Sequence, residues 1–253
     1  MAKSLSTYKP EGTPVEELDV PKVGNVLYDQ LGELVIRKLN ERFKGVANIE
    51  DLTEYQPNQP LSFSNIPRAL ALNQILLQET NGRIKLQNPF QTIQYWSLVR
   101  DPTTYADTNS VSVYPKEGPN EDLRQRVLDI IGKSSIEVPI LVANLGVERA
   151  DNEHGFTFTE SDDIQVTQAP FLRKDGRYSF DKKKNTLVPD KQGVQIWTPS
   201  DQSGLRRAGR DRGDDLGFRY DDLPVSYSDG RVPFFYNPQG FAKNFATKPR
   251  KRK

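Results

Sequence analysis

The sequence predicts an α+β fold: a mixed or antiparallel sheet with two helices packed on one face, plus extended N- and C-terminal arms. Three observations predict it. Two segments, Val26–Lys44 and Leu123–Ile131, place apolar residues at helical spacing. Several short β-branched or aromatic runs lie between and after them. The segments before Asn25 and after Pro170 show no sustained apolar period. The chain of 253 residues is therefore divided into an extended arm (1–24), an α+β core domain (25–170) and a β/turn-rich basic arm (171–253). A core of that size is large enough to be stable alone; the arms are not.

In the first arm Pro10, Pro14 and Pro21 recur at short intervals. Asn25 is an expected N-cap, Leu27, Leu31, Leu34, Val35, Leu39 and Phe43 form a helical stripe, and Gly45 closes it. Glu50–Ser64 reads as a loop or weak strand, and Asn65–Asn73 as a short helix with Pro67 in its first turn. Asn81-Gly82, followed by alternation from Arg83 to Gln87, predicts a hairpin over 75–87. Thr92–Arg100 is aromatic and β-branched, and so is expected to be a strand. Asn120, Glu121 and Asp122 supply a cap and first-turn acids for the second helix, which Gly132 ends. Val138–Leu145 is the most apolar strand; Phe156–Thr159 and Ile164–Thr167 form a further pair. Beyond Pro170 only short strands are expected, such as Arg177–Phe180 and Val194–Trp197, with turns at Asp175-Gly176 and Asp229-Gly230.

Charge is distributed unevenly. The net charge is +1, but residues 171–253 hold 19 Lys/Arg against 10 Asp and no Glu, a balance of +9, which leaves −8 on residues 1–170. Such asymmetry marks the basic segment as an interaction tail. The absence of cysteine excludes disulfides, thiolate metal sites and cysteine nucleophiles. A single histidine excludes His-rich metal sites, and no apolar run is long enough to span a membrane.

Catalytic patterns are weak. His154, within Asp151-Asn152-Glu153-His154-Gly155, reads as an exposed hairpin residue with no ligand cluster in sequence. Asp162-Asp163, Asp214-Asp215 and Asp221-Asp222 are adjacent acids without the spacing of a calcium loop, and read as solvated turns. Pro189-Asp190 opens a pattern used by metal-dependent nucleases, but the strand Val194–Trp197 lacks the acid and lysine that would complete it. No phosphate loop or Ser/His/acid set is present. The expectation is a non-enzymatic protein without cofactor or metal.

Candidate partner-binding residues lie in the basic segment. Arg206, Arg207, Arg210 and Arg212 form one cluster; Arg250, Lys251 and Arg252 belong to the cationic end. Phe234, Phe235, Tyr236, Phe241 and Phe245 interleave between them. Cations with aromatics can serve as a nucleic-acid platform. Aromatics beside proline in an extended arm equally suit docking on another subunit, which is the preferred reading.

The element order, with Val26–Lys44, the hairpin around Asn81-Gly82, Thr92–Arg100, Leu123–Gly132 and Val138–Leu145, resembles the neck and tail-terminator subunits of tailed bacteriophages. The resemblance covers about Asn25–Pro170, is architectural, and transfers no functional residue. It implies a virion protein, assembled in the host cytoplasm, that forms a ring with copies of itself and meets other tail subunits through sheet edges and arms. The alternative expectation is a nucleic-acid-binding protein that uses the basic C-terminal region.

Overall fold

The computed structural model describes residues 22–25, 30–46, 49, 64–94, 105–181, 183–184, 186–211, 215–226, 230–231 and 233–236. Strand β1 (Lys22–Asn25) precedes helix α1 (Gln30–Phe43). Asn25 thus ends a strand and caps no helix: its backbone pairs with residues more than 200 positions away, a partner that local propensity does not encode. α1 buries Val35, Leu39 and Phe43 completely, and Gly45 follows at φ 79°, as the stripe and the closing glycine predict.

Helix α2 (Ile66–Glu79) begins where expected. The Asn65 side chain accepts the Arg68 N–H at 2.8 Å, and Pro67 occupies the first turn. It then continues through the first half of the predicted hairpin. Asn81 and Gly82 do adopt positive φ (52° and 76°), but as the exit of a helix into strand β2 (Ile84–Leu86). The Gly82 N–H reaches back to the Leu77 carbonyl at 2.8 Å. Positive φ suits a helix exit as well as a hairpin, and the buried Leu70, Leu72, Ile75 and Leu76 decide for the helix. Thr92–Arg100 is likewise not a strand at its start: α3 (Pro89–Gln94) opens on a proline suited to a first turn, and 95–100 lie outside the described residues.

Strand β3 (Tyr105–Val113) is buried along its whole length. Helix α4 (Glu121–Ile130) follows, and Gly132 ends it at φ 70°. Asn120 takes a left-handed conformation and does not cap through its side chain; its Nδ2 donates instead to the carbonyls of Leu205 and Asp221. Next come β4 (Ile140–Ala143), β5 (Gly146–Arg149), β6 (Phe156–Thr159) and β7 (Gln165–Gln168). After a short 3-10 turn the chain forms β8 (Gly176–Asp181), β9 (Thr186–Pro189), β10 (Val194–Trp197), β11 (Leu205–Asp211), β12 (Asp215–Gly217), β13 (Gly230–Arg231) and β14 (Pro233–Tyr236).

The fold is α+β, with a large, curled, mixed sheet in the order β7-β4-β3-β11-β12-β10-β8-β9, and β13 beside the start of β3. Pairing is antiparallel except for β10–β12 and β13–β3. A small sheet, β1-β14-β2, and the hairpin β5–β6 complete the structure. The break expected after Pro170 is absent from the sheet, because β8 to β12 continue it and β11 lies directly against β3.

Strand alternation sorts the two cores. Val111, Val113, Ile140, Val142 and Leu205 face α1, α2, α4 and the β5–β6 hairpin. Leu141 and Ala208 face the opposite side, with Phe171, Ile196, Leu216 and Phe218. Helices α1, α2 and α4 therefore pack in the first core, and α3 contributes Phe90 to the second, aromatic one, against Phe171 and Phe180.

Candidate functional site: buried arginine pairs and an open sheet edge

β11 carries three of the arginines singled out in the sequence, and all three are inside the molecule: Arg206, Arg207 and Arg210 are 5%, 2% and 4% exposed. Arg207 forks onto Asp107 of β3, with Nη2 3.2 Å from both carboxylate oxygens and Nε 3.3 Å from Oδ1. Asp107 also accepts from Ser64 Oγ at 2.9 Å and from the Tyr105 hydroxyl at 2.7 Å. The guanidinium lies 4.8 Å from the centre of the Tyr105 ring and donates to the Val225 carbonyl. Burial pushes the Asp107 carboxyl well above the usual carboxylate range, against the pull of the Ser64 hydroxyl. Arg207 faces it as an ion-pair partner at 3.2 Å.

Arg206, on the other face of β11, binds Asp201 through Nη2 at 2.8 and 3.0 Å and approaches Asp221 at 3.3 Å. The Ser203 hydroxyl, and behind it Arg206, hold the Asp201 carboxyl below its ordinary value. Arg206 and Arg207 thus tie β11 to β3, to the loop before β11 and to the loop after β12, and with Arg210 likewise buried these three guanidiniums are not presented to a phosphate backbone. The sequence concealed the Arg207 pair because Asp107 lies 100 residues away; Asp201, which answers Arg206, lies only five residues from it.

Of the remaining candidates, Phe234, Phe235 and Tyr236 form β14, whose backbone joins β1 to β2. Arg212, Phe241, Phe245, Arg250, Lys251 and Arg252 lie outside the described residues. Among the acids, Asp215 accepts the Trp197 indole N–H at 3.0 Å. Asp190 accepts from Ser179 Oγ, which with the Gln192 N–H lowers its pKa. Asp162 and Asp163 line a cavity of about 470 Å³ beside α2. Asn73 and Asn144 line it too and belong to a buried amide triad: Asn73 and Asn109 both donate to Asn144 Oδ1, at 3.0 and 2.6 Å, and Asn144 Nδ2 donates to the Asp163 carbonyl at 2.9 Å. Desolvation raises the Asp163 carboxyl, with Lys85 opposing. Spaced 36 and 35 residues apart, these asparagines offered no local motif.

The two ends of the large sheet differ. β9 ends on Pro189 and follows lysines 182–184, features that blunt an edge. β7 has neither: its sequence is Gln-Val-Thr-Gln, among the described residues it pairs on one side only, with β4, and Val166 is 44% exposed. Among the described residues its outer backbone edge has no ladder partner.

No helix among the described residues is long and apolar enough to cross a membrane. No family model, curated protein or solved structure matches the chain.

Proposed function

We propose that this chain is a non-enzymatic structural subunit of a multi-subunit assembly, joined to its neighbours by strand addition at β7. The observation that carries the reading is the asymmetry of the sheet: one edge is blunted, and the other is uncharged and bears an exposed valine. An extended arm from a second copy suits such an edge, since backbone hydrogen bonds supply affinity and alternate side chains supply register. Repeated head to tail, this contact is heterologous and closes into a ring if the rotation allows. The narrower form, a ring in the neck or tail of a virion, rests on the sequence resemblance. The Asn81-Gly82 hairpin that entered into that resemblance is replaced by a helix exit, and the start of the Thr92–Arg100 strand by α3.

Val166→Lys places a charge on the open edge without touching the core. Sedimentation velocity at micromolar concentration is expected to show an oligomer for the native chain and a monomer for V166K. A native chain that sediments as a monomer would overturn the proposal. The nucleic-acid alternative loses Arg206, Arg207 and Arg210 to the interior and retains the cationic end. It would gain support if removal of 248–253 abolished a salt-sensitive affinity for DNA or RNA.

A further inference from the structure

The turn between β5 and β6 brings the single histidine of the chain against the first turn of α4. His154 Nε2 lies 3.1 Å from Asp122 Oδ1 and 3.4 Å from Glu153 Oε1, and all three atoms are within 4.8 Å of one another. The sequence places no ligand cluster beside His154; the fold supplies one by bringing in Asp122 from 32 residues away. The ring is well held. Its side chain is 14% exposed, it packs 5.9 Å from the Phe156 ring, and its own backbone N–H donates to Asn152 Oδ1 at 3.1 Å. Asn152 in turn donates to the Phe156 carbonyl, which fixes the turn.

These distances suit a small ion. Ligands about 2.0–2.1 Å from a tetrahedral zinc lie about 3.3 Å from one another, and the two measured separations bracket that value. One imidazole nitrogen with two carboxylate oxygens is a borderline donor set: an imidazole suits zinc, whereas calcium and magnesium prefer oxygen alone. Two carboxylates also balance a divalent charge. Among the described residues the only recorded cationic partner of either Asp122 or Glu153 is His154.

We propose that Asp122, Glu153 and His154 form a binding site for a divalent transition-metal ion of the zinc type, with water completing the coordination and the ion bracing α4 against the β5–β6 hairpin. With one histidine and no cysteine, imidazole-dependent binding can arise only here. Zinc chloride is titrated into the full chain at neutral pH, followed by calorimetry and by the NMR signals of the His154 ring. The expected result is one zinc per chain, a shift of the ring signals, and a raised melting temperature that chelator reverses. Asp122→Asn, Glu153→Gln and His154→Gln should each weaken binding about tenfold or more, while melting like the native chain in chelator. Unmoved ring signals, full affinity in D122N, or displacement of zinc by millimolar magnesium would each overturn the site.

Discussion

Asp107 and Arg207 show how a core can hold charge without carrying out chemistry. Both are nearly inaccessible, and Ser64, Tyr105 and the Val225 carbonyl take up most of their remaining hydrogen-bonding capacity. Removing one member of such a pair strands the other, which costs more than the pair itself contributes. Arg207→Met is therefore expected to lower stability by about 3–5 kcal/mol, read from urea unfolding. Arg206→Met should cost only about 1 kcal/mol, because its partners Asp201 and Asp221 are half exposed and remain hydrated when it is gone. Adding Asp107→Asn to R207M should recover part of the loss, since no uncompensated charge then remains. Equal costs for the two arginines would mean that burial does not distinguish them.

Among the elements, those built from local pattern were legible and those built from long-range satisfaction were not. α4, β6 and β10 occupy almost the predicted residues because a stripe or an alternation with its punctuation is complete within ten positions. β3 and β11 form the centre of the sheet and were not recognised as strands. β3 contains Asp107, Thr108, Asn109, Ser110 and Ser112, a polar stretch that is buried because other segments answer most of it, Ser110 alone turning to its neighbour Asn109. Thr108 Oγ1 donates to the Ala208 carbonyl, and Ser112 Oγ to that of Arg206. β11 reads as a basic loop for the same reason. What aligns its start is Gly204, at φ 74°, whose carbonyl accepts from Tyr114 while the Leu205 N–H donates to the Pro119 carbonyl. A Cβ at this position would meet the Pro119 oxygen at 2.5 Å. Gly204→Ala combines a left-handed conformation with a backbone clash and should cost about 2–4 kcal/mol in thermal or urea unfolding. A neutral result would show that the junction of β11, β3 and α4 can shift.

At the scale of the whole molecule, the acidic and basic halves meet inside one sheet, where Arg207 of β11 pairs with Asp107 of β3. The basic half was read as an arm because its composition favours turns, yet six of its strands, β8 to β13, extend the sheet begun by β3, β4 and β7. Nothing local could show this, since a strand of three to seven residues acquires its meaning from its neighbour. The same holds at the ends. Lys22–Asn25 and Pro233–Tyr236, both assigned to arms, pair with each other, and β14 also pairs with β2. β14 is thus the central strand of a three-stranded sheet, and the partner expected from a neighbouring subunit is, for these residues, the other end of the same chain. A chain stopped after Arg231 removes that strand, leaving β2 and β1 each without a ladder partner. Isolated short strands do not persist in water. Amide hydrogen exchange at Ile84–Leu86 is therefore expected to become fast in the shortened chain. Val111–Val113 and Ile140–Ala143, held by β11, β3 and β7 on their own account, should keep their protection. Loss of protection throughout would instead mean that the small sheet and the large one unfold as a single cooperative unit.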